Sequence, residues 1–353
     1  MFSALMDVFD SFEGVLLGLG HPLLDIIADV DNKFLEKYQL KPDDSIRANE
    51  LHRQLYEELT SKYRCQYIAG GSVQNSLRTV QWMLNKPKCM TFMGAIGDDH
   101  FGRVLSAKIS EQGVNFISLL DKTTGTGTSA CLISDAGKCR SLIAYLGASQ
   151  NIRIDHLLNN YQYIEMAKVF YTSGYHLAID PESVTHLAKH ANNHTGKLFC
   201  LNLSAPYVSQ MVPKSLLDVF PYVDILFGNE AEAQAFAHLN GWQTTNVSEI
   251  AKLTANMPSN RSDGRTVIYT QGNRCVLVAK TDCTHVIEFP VPVLDESKII
   301  DTIGAGDAFV GGFFTQLVQN KQIDVCVKSG IYAAQQVIQQ IGCQFPRDMR
   351  FNC

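Results

Sequence analysis

The chain has 353 residues, 46% of them hydrophobic and 18% charged, and a formal net charge of −5. A chain of this length can bury a large core, so we expect one large domain or a large domain with an appendage. The acidic balance comes without a basic run, which argues against nucleic acid as a partner and favours small molecules.

The most apolar early stretch, residues 14–30, is interrupted by His21, Pro22, Asp25 and Asp29. It therefore suits neither a spanning helix nor a signal-peptide core, and no membrane partner is expected. The ten cysteines include no Cys-x-x-Cys pair, which is typical of free thiols in a reducing compartment. We expect a cytoplasmic, monomeric protein.

Strand-like and helix-like runs alternate along most of the chain. Apolar patterning predicts strands at 14–20, 88–96, 169–172, 198–203, 225–227 and 266–270, and helices at 74–84, 181–191, 230–239 and 308–319. This alternation is typical of an α/β fold in which helices flank a mostly parallel central sheet. Ligands bind beyond the carboxyl ends of strands in such sheets, so the loops at 70–71, 229 and 304–307 are expected to share one cleft.

Two segments, 22–67 and 123–146, do not follow this alternation and are predicted to form short strands and turns. Because each is too short to have a core of its own, we expect them to pair as a small β-rich lid domain over the cleft. The large α/β domain would then comprise residues 1–21, 68–122 and 147–353.

Residues 301–312 read Asp-Thr-Ile-Gly-Ala-Gly-Asp-Ala-Phe-Val-Gly-Gly, between a short strand-like run at 298–300 and an apolar helix. Gly304 and Gly306 allow backbone N–H groups to approach an anion, and a helix start stabilises negative charge. The same field is expected to keep the Asp307 carboxyl ionised near neutral pH. A capping aspartate beside turn glycines is the alternative, but the combination favours a base beside an anion-binding turn.

This stretch resembles the signature Asp-Thr-x-Gly-Ala-Gly-Asp of the ribokinase-like, or PfkB, carbohydrate and nucleoside kinases. The resemblance covers nearly the whole chain and is strongest to the members that act on adenosine. It extends to Gly-Leu-Gly-His-Pro-Leu-Leu-Asp at 18–25, Ala-Gly-Gly-Ser-Val-Gln-Asn-Ser at 69–76, Arg-Ser-Leu-Ile-Ala at 140–144, Leu-Asn-Leu-Ser-Ala-Pro at 201–206, Asp-Ile-Leu-Phe-Gly-Asn-Glu-Ala-Glu-Ala at 224–233 and Gly-Cys-Gln-Phe-Pro at 342–346.

The resemblance implies transfer of the γ-phosphoryl group of MgATP to the 5′-hydroxyl of adenosine, giving AMP and ADP in purine salvage. Asp307 would be the general base, and the backbone of Gly304, Ala305 and Gly306 would stabilise charge on the transferred group. Arg140, in the expected lid, would reach into the cleft on closure. Considered without the resemblance, Arg140 is interpreted as an arginine on the protein surface.

Asn229 and Glu232 match the family's Asn-x-x-Glu motif, which implies that they hold Mg²⁺ through water. Considered alone, this spacing is a common helix-capping pattern. On the ATP side, the resemblance implies Asn229, Thr270, Gly272 and Asp301.

Two groups of residues match the family's nucleoside site. Those suited to the ribose are His21, Asp25, Gly70, Gly71, Ser72 and Asn75. Those implied for an apolar and aromatic adenine pocket are Leu23, Leu142, Ala144, Leu146 and Tyr175, with Tyr175 available for stacking. Alternation puts residues 142, 144 and 146 on one strand face, which ordinary core packing also requires.

The chain departs from the family pattern at His21, Arg47, Ile303 and Ile331. His21 stands where asparagine is usual; its unprotonated nitrogen can hydrogen-bond a ribose hydroxyl, but with pH sensitivity near its ordinary pKa of about 6.5. The alternatives are a kinase of this family for another nucleoside or a sugar, and a nucleoside-binding protein without turnover.

Three histidines, His186, His190 and His194, have a helical spacing that suits a metal. The segment is polar and lacks the acidic partner of an HExxH motif. An exposed helix face is therefore the preferred interpretation.

Overall fold

Two β-sheets organise the computed structural model, which describes residues 12–41, 45–52, 54–134, 139–348 and 351. Residues 1–11 and Cys353, which the sequence assigns to the large domain, lie outside the described residues. The strands are β1 (Leu16–Leu19), β2 (Leu23–Asp29), β3 (Ser45–Arg47), β4 (Gln66–Gly70), β5 (Met90–Gly97), β6 (Asn115–Asp121), β7 (Thr128–Ser134), β8 (Cys139–Tyr145), β9 (Val169–Ser173), β10 (Leu198–Asn202), β11 (Ile225–Asn229), β12 (Thr266–Thr270), β13 (Cys275–Lys280) and β14 (Ile287–Pro290).

The nine-stranded sheet has the order β14-β13-β12-β11-β10-β9-β1-β5-β6. Neighbours from β12 to β6 are parallel, and only the edge formed by β13 and β14 is antiparallel. The predicted α/β fold with a mostly parallel sheet is therefore confirmed.

Helices flank this sheet, and none in the described parts of the chain is long and apolar enough to cross a membrane. Short 3₁₀ helices lie at Glu50–His52, Gly147–Asn151, Phe220–Tyr222 and Glu296–Lys298. The α-helices are α1 (Asn32–Lys37), α2 (Leu55–Lys62), α3 (Ser72–Leu84), α4 (His100–Glu111), α5 (Ile154–Asn159), α6 (Tyr161–Met166), α7 (Gly174–Leu177), α8 (Pro181–Asn193), α9 (Pro206–Met211), α10 (Pro213–Val219), α11 (Glu230–Leu239), α12 (Val247–Ala255), α13 (Ala305–Leu317) and α14 (Ile323–Val337).

Hydrophobic cores lie on both faces of the nine-stranded sheet. Leu16 of β1 belongs to one core and Leu17 to the other, because successive side chains of a strand point to opposite faces. Phe313 and Phe314 of α13 belong to the first core, and residues 308–317 of this helix are all buried. This packing fixes the start of α13 at the carboxyl edge of the sheet.

The five-stranded sheet has the order β3-β8-β7-β2-β4. β2 pairs antiparallel with β4 and parallel with β7, so the two segments predicted to form a lid share one sheet. The domain boundaries themselves stay a prediction.

The first of these segments also contains helices α1 and α2, where the sequence predicted only strands and turns. Asp31 starts α1 by accepting a hydrogen bond from the Phe34 backbone N–H at 2.9 Å, and Phe34 is buried. In α2, Leu55 and Leu59 bury one face, four residues apart. The helical pattern was missed because each helix has only two turns.

The strand-like run predicted at 298–300 is also absent. A 3₁₀ helix at Glu296–Lys298 includes its first residue, and the Asp295 carboxylate caps that helix by accepting from the Ser297 backbone N–H at 2.9 Å; residues 299 and 300 form no strand. A third correction concerns α8: His190 is only 5% exposed, so the three histidines do not form an exposed face.

The chain segments that join the two sheets pack backbone against backbone. Gly71 has φ +99°, and a Cβ there would lie 2.1 Å from the His21 carbonyl oxygen. A Cβ at Gly127 would lie 2.6 Å from the Leu146 carbonyl oxygen and 3.2 Å from that of Pro22. Side chains at these two glycines are therefore excluded by the neighbouring main chain.

Candidate active site

A cavity of about 240 Å³ lies between the carboxyl ends of β10, β11 and β12 and the start of α13. Parallel strands end together at this edge, which is why loops distant in sequence meet here. The residues that line the cavity are Ser72, Tyr175, Asn202, Ser204, Phe227, Gly228, Asn229, Glu232, Ile268, Thr270, Gly304, Gly306, Asp307, Phe309 and Val310.

Asp307 lies in the first turn of α13, at the wall of this cavity. Its carboxylate accepts hydrogen bonds from Ser72 Oγ at 2.7 Å and Asn75 Nδ2 at 3.0 Å. Enclosure by the protein raises the pKa of Asp307 to about 6, and the two donors oppose that rise. Asp307 is therefore mostly ionised at pH 7, as the sequence predicted, but burial and not the field of the helix is the largest influence on its pKa.

The glycine turn before Asp307 exposes backbone to the cavity. Gly304 precedes α13 with φ +78°, the left-handed region that favours glycine. A Cβ at Gly306 would meet no atom of the described residues within 4 Å, so they leave the space beside Gly306 open. The Ala305 N–H already donates to the Thr302 carbonyl at 3.2 Å. Gly304 and Gly306 are therefore the members of the predicted anion hole that line the cavity.

Asn229 and Glu232 form a capping box at the start of α11. Asn229 N–H donates to Glu232 Oε2 at 3.0 Å, Asn229 Nδ2 donates to Glu232 Oε1 at 2.7 Å, and Glu232 N–H donates to Asn229 Oδ1 at 2.9 Å. Burial raises the pKa of Glu232 to about 7, and the charge of Asp307 adds to the rise. The pair therefore caps a helix, as the alternative interpretation required, and also lines the cavity.

Arg140 and Asp301 lie together rather than at the cavity wall. Arg140 Nη1 donates to Asp301 Oδ2 at 2.7 Å. Asp301 also accepts from the backbone N–H groups of Ile303 and Gly342, each at 2.9 Å. In this arrangement Arg140 connects the five-stranded sheet to the signature stretch.

Asp25 packs against the backbone of Gly70, since a Cβ there would lie 2.2 Å from Asp25 Oδ2. Burial raises the pKa of Asp25 to about 7; the Arg78 cation opposes the rise and the charge of Asp307 adds to it. The charge of Asp307 thus disfavours ionisation of Asp25, which indicates that the two carboxyls lie near one another.

Arg78 is a site residue that sequence reasoning missed. It is buried, and its Nη1 donates to Asn75 Oδ1 at 3.0 Å and to the Ala69 carbonyl oxygen. The Asn75 amide is thereby oriented with its Nδ2 toward Asp307. A signal was present in the sequence, because an arginine three residues after Asn75 interrupts an otherwise uncharged helix.

His21 is 7% exposed, and both of its ring nitrogens face carbonyl oxygens. Nδ1 lies 2.9 Å from the Ser149 oxygen and Nε2 lies 3.4 Å from that of Tyr175, while the His176 ring packs edge-on at 4.9 Å. Burial lowers the pKa of His21. The ring is therefore neutral near pH 7, and the expected titration near its ordinary pKa is moved to more acidic pH.

The residues predicted for the adenine pocket occupy two places. Tyr175 lines the cavity, and its hydroxyl donates to the Ser204 carbonyl at 3.0 Å. Leu142 lies on the five-stranded sheet beside the buried cluster of Ile27, Ile68, Cys131 and Ile133. Ala144 shares the strand face of Leu142, but Leu146 lies beyond the end of β8, so the three do not form one strand face. Leu23 packs near Gly127, where the sheets connect.

The two residues predicted near ATP after β12 differ in surroundings. Thr270 lines the cavity. Gly272 has φ +61° in the turn between β12 and β13, and a Cβ there would meet nothing within 4 Å. Its position is explained by the turn alone.

A mostly parallel sheet with a glycine turn and a buried carboxylate at its carboxyl edge, together with a second small sheet, defines a ribokinase-like α/β kinase. The chain matches the model of the pfkB family of carbohydrate kinases over residues 33–350, and it belongs to that family.

Relatives share nearly the full length of the chain. Adenosine kinase 2 of Arabidopsis thaliana is 41% identical over 345 residues, which are 97% of this chain and 99% of the relative. A structure of Anopheles gambiae adenosine kinase in complex with P1,P4-di(adenosine-5) tetraphosphate is 44% identical, with a TM-score of 0.88 and coverage of 96% of this chain and 99% of that one. Schistosoma mansoni adenosine kinase, in complex with adenosine in an occluded loop conformation, is 33% identical, with a TM-score of 0.85 and coverage of 95% and 97%.

Proposed function

We propose that the chain transfers the γ-phosphoryl group of MgATP to the 5′-hydroxyl of adenosine and produces AMP and ADP. The observation that carries the proposal is the Asp307 carboxylate, held by Ser72 and Asn75 beside a glycine turn at the wall of a cavity. Full-length similarity to adenosine kinases supports adenosine as the acceptor. Purine salvage is the process that such a reaction serves.

Asp307 acts as the general base in this proposal. A carboxyl with a pKa of about 6 accepts a proton more readily than an ordinary aspartate and is still mostly ionised at pH 7. The bonds from Ser72 and Asn75 fix the direction of its lone pairs, so the hydroxyl proton moves to a carboxylate that is already oriented.

The start of α13 supplies the anion hole. Its uncapped N–H groups and its dipole favour negative charge at Gly304 and Gly306, where oxygens of the transferred group would lie. Donors of this kind act on charge that develops in the transition state, and losing one typically costs about 10²- to 10³-fold in rate.

The residues proposed for Mg²⁺ fit a hydrated ion. Each Glu232 oxygen accepts one hydrogen bond from Asn229, which leaves a lone pair on each for a metal-bound water. The charge of Asp307 raises the cost of ionising Glu232, which a nearby cation would relieve. When bound with ATP, Mg²⁺ would offset charge on the phosphates. Thr270 also lines the cavity, and Gly272 lies in the turn that follows β12.

The proposed ribose site consists of Asp25, the Gly70–Gly71 backbone and Asn75. Leu142 and Ala144 give the adenine base an apolar surface. The bond between Arg140 and Asp301 joins the five-stranded sheet to the signature stretch at residues 301–312. His21 contributes its backbone and a neutral ring, with both nitrogens already facing carbonyls. Tyr175 adds an aromatic wall to the cavity. The monomeric state and cytoplasmic location stay predictions.

The test is a set of acceptors offered to the purified chain with MgATP: adenosine, inosine, guanosine, ribose and fructose, with products identified by mass. We expect AMP from adenosine as the main product. A sugar phosphate as main product would favour the alternative of a sugar kinase, because buried hydroxyls need polar partners worth about 1–3 kcal/mol each that the Leu142 surface does not offer. Binding of adenosine without any phosphorylated product would favour a binding protein.

A further inference from the structure

A cluster of three possible metal ligands lies away from the cavity and consists of Glu165, His190 and His194. One ligand atom of each, a ring nitrogen or a carboxylate oxygen, lies within 4.8 Å of the other two. Glu165 belongs to α6, which precedes β9, and both histidines lie at the end of α8, which precedes β10. The cluster is therefore at the amino-terminal edge of the nine-stranded sheet, opposite the edge that carries Asp307. Glu165 is the acidic partner that the sequence around the histidines lacks.

The hydrogen bonds of the two rings leave one nitrogen of each available. His194 Nδ1 lies 2.8 Å from the His190 carbonyl oxygen, so Nδ1 carries the proton and Nε2 keeps its lone pair. His190 Nδ1 lies 3.1 Å from the Tyr161 hydroxyl. His190 Nε2 is buried, on a side chain only 5% exposed, and has no hydrogen-bond partner among the residues that the structure describes. Orientation of a histidine through its second nitrogen is the usual support of a metal-binding ring.

The neighbouring contacts bring these groups close together. The His190 and His194 rings stack with their centroids 4.2 Å apart. Lys197 Nζ donates to the backbone oxygens of Ile164, Glu165 and Ala167 at 3.0, 2.6 and 2.6 Å, which fixes the end of α6 beside β10. The Lys197 charge acts on His190 and opposes a cation there, so it is expected to weaken metal binding.

We propose that Glu165, His190 and His194 bind a divalent transition-metal cation, with Zn²⁺ the best match. Two imidazoles and one carboxylate form a known zinc ligand set that leaves a position for water. Zn–N distances of about 2.0–2.1 Å require the three side chains to draw together by small rotamer changes, which the exposed Glu165 and His194 allow. The ion connects α6 to the end of α8 and stabilises that edge of the sheet.

The test measures Zn²⁺ binding to the metal-stripped, tag-free full chain by calorimetry, together with the Tm with and without added Zn²⁺. Because Glu165 and His194 are exposed, E165Q and H194A are expected to fold normally. We expect each variant to weaken Zn²⁺ binding at least about tenfold and to lose the metal-dependent rise in Tm. H238A, which removes an exposed histidine at the end of α11, is the matched control and should bind like the parent.

Co²⁺ in place of Zn²⁺ distinguishes this site from cysteine thiolates, because only thiolate ligands give intense sulfur-to-metal absorption. Absence of that absorption, with d–d bands lost in H194A, would support the proposal. Equal Zn²⁺ affinity in the parent, E165Q and H194A would overturn it, as would no binding by the parent or an equal loss in H238A. None of these results depends on the proposed kinase reaction.

Discussion

Arg140 and Asp301, 161 residues apart in the chain, form an ion pair with Nη1 and Oδ2 at 2.7 Å. The Arg140 side chain is 14% exposed and that of Asp301 is 2% exposed. The pair joins the five-stranded sheet to the stretch that leads into α13. Because Asp301 also accepts from the Ile303 and Gly342 N–H groups, the arginine meets a carboxylate that is already fixed.

A double-mutant cycle with R140Q and D301N should show that this pair is energetically coupled. We expect a coupling of about 0.5–3 kcal/mol in the free energy of unfolding, since contacting residues in one hydrogen-bond network couple in this range. The measurement is chemical denaturation of the parent, both single variants and the double variant. The exposed pair Lys214–Asp218 is the control, and K214Q with D218N should couple by less than about 0.5 kcal/mol. Equal coupling in the two cycles would contradict the prediction.

Replacing Asp307 by asparagine should remove turnover while the fold is kept. We expect kcat to fall by about 10²- to 10⁴-fold, the usual contribution of a general base. Adenosine affinity should change little, and the free energy of unfolding should stay equal or rise, because burial already disfavours the charged carboxylate. Steady-state kinetics, calorimetry with adenosine and denaturation measure the three quantities. A variant with nearly full kcat would show that another group takes the proton.

The acid limb of the pH–rate profile should move when a donor to Asp307 is removed. The pKa of Asp307 is about 6, so kcat/KM should rise with pH through that region as the base loses its proton. The Ser72 hydroxyl lowers this pKa, so S72A should raise it and shift the limb to higher pH, with a larger loss of activity at pH 6 than at pH 8. Profiles of kcat/KM for the parent and S72A test this.

The control for that shift is S248A, which changes a serine in the first turn of α12 instead. Its acid limb should coincide with that of the parent. Because Asp25 and Glu232 also have pKa values raised to about 7, the limb reports the three carboxyls together, and its direction of movement is the decisive quantity. A limb that stays in place or moves to lower pH in S72A would be inconsistent with the proposed base.

Replacing Gly306 by alanine should lower kcat without lowering the free energy of unfolding. Its Cβ would meet nothing within 4 Å, so the fold accepts it and the free energy of unfolding should stay equal or rise by up to about 1 kcal/mol. The methyl group would occupy space beside the proposed anion hole, and kcat should fall by roughly 10²-fold or more. Kinetics and denaturation of the same preparation measure both effects.

G304A is the matched variant in the same turn. It places alanine at φ +78°, with its Cβ 2.9 Å from Cys343 Cβ, so it should lose about 1–2 kcal/mol of stability from the backbone conformation alone. If G306A destabilised the chain as much as G304A while keeping its activity, the open space beside Gly306 would have no role in binding.

Local patterns were sufficient to predict strands β1, β5 and β9 to β12, helices α3, α8, α11 and α13, and the signature turn, but they did not predict β6, β13, β14, α4, α12 or α14. Helix α11 has the predicted bounds, Glu230–Leu239, because its capping box and apolar spacing lie in adjacent residues. The two-turn helices α1 and α2 were missed because so few residues show little periodicity. Their burial against the five-stranded sheet depends on tertiary contacts.

The sequence identified several residues that line the cavity, but it did not indicate how they are arranged. Asp307 was identifiable from its glycine neighbours, but its raised pKa results from enclosure by distant segments. The sequence did not indicate that Asp301 is the partner of Arg140, because the two residues are 161 positions apart. The same holds for Glu165 and His194, which approach only because α6 and α8 end at one edge of the sheet.

The close packing at Gly71 and Gly127 means that substitutions there act on the main chain. A Cβ at Gly71 would lie 2.1 Å from the His21 carbonyl oxygen, and one at Gly127 would lie 2.6 Å from that of Leu146. Neither clash is with the end of a flexible side chain, so backbone would have to move to relieve it. Because Gly71 directly precedes Ser72, which donates to Asp307, a substitution at Gly71 is expected to disturb the proposed base as well as the fold.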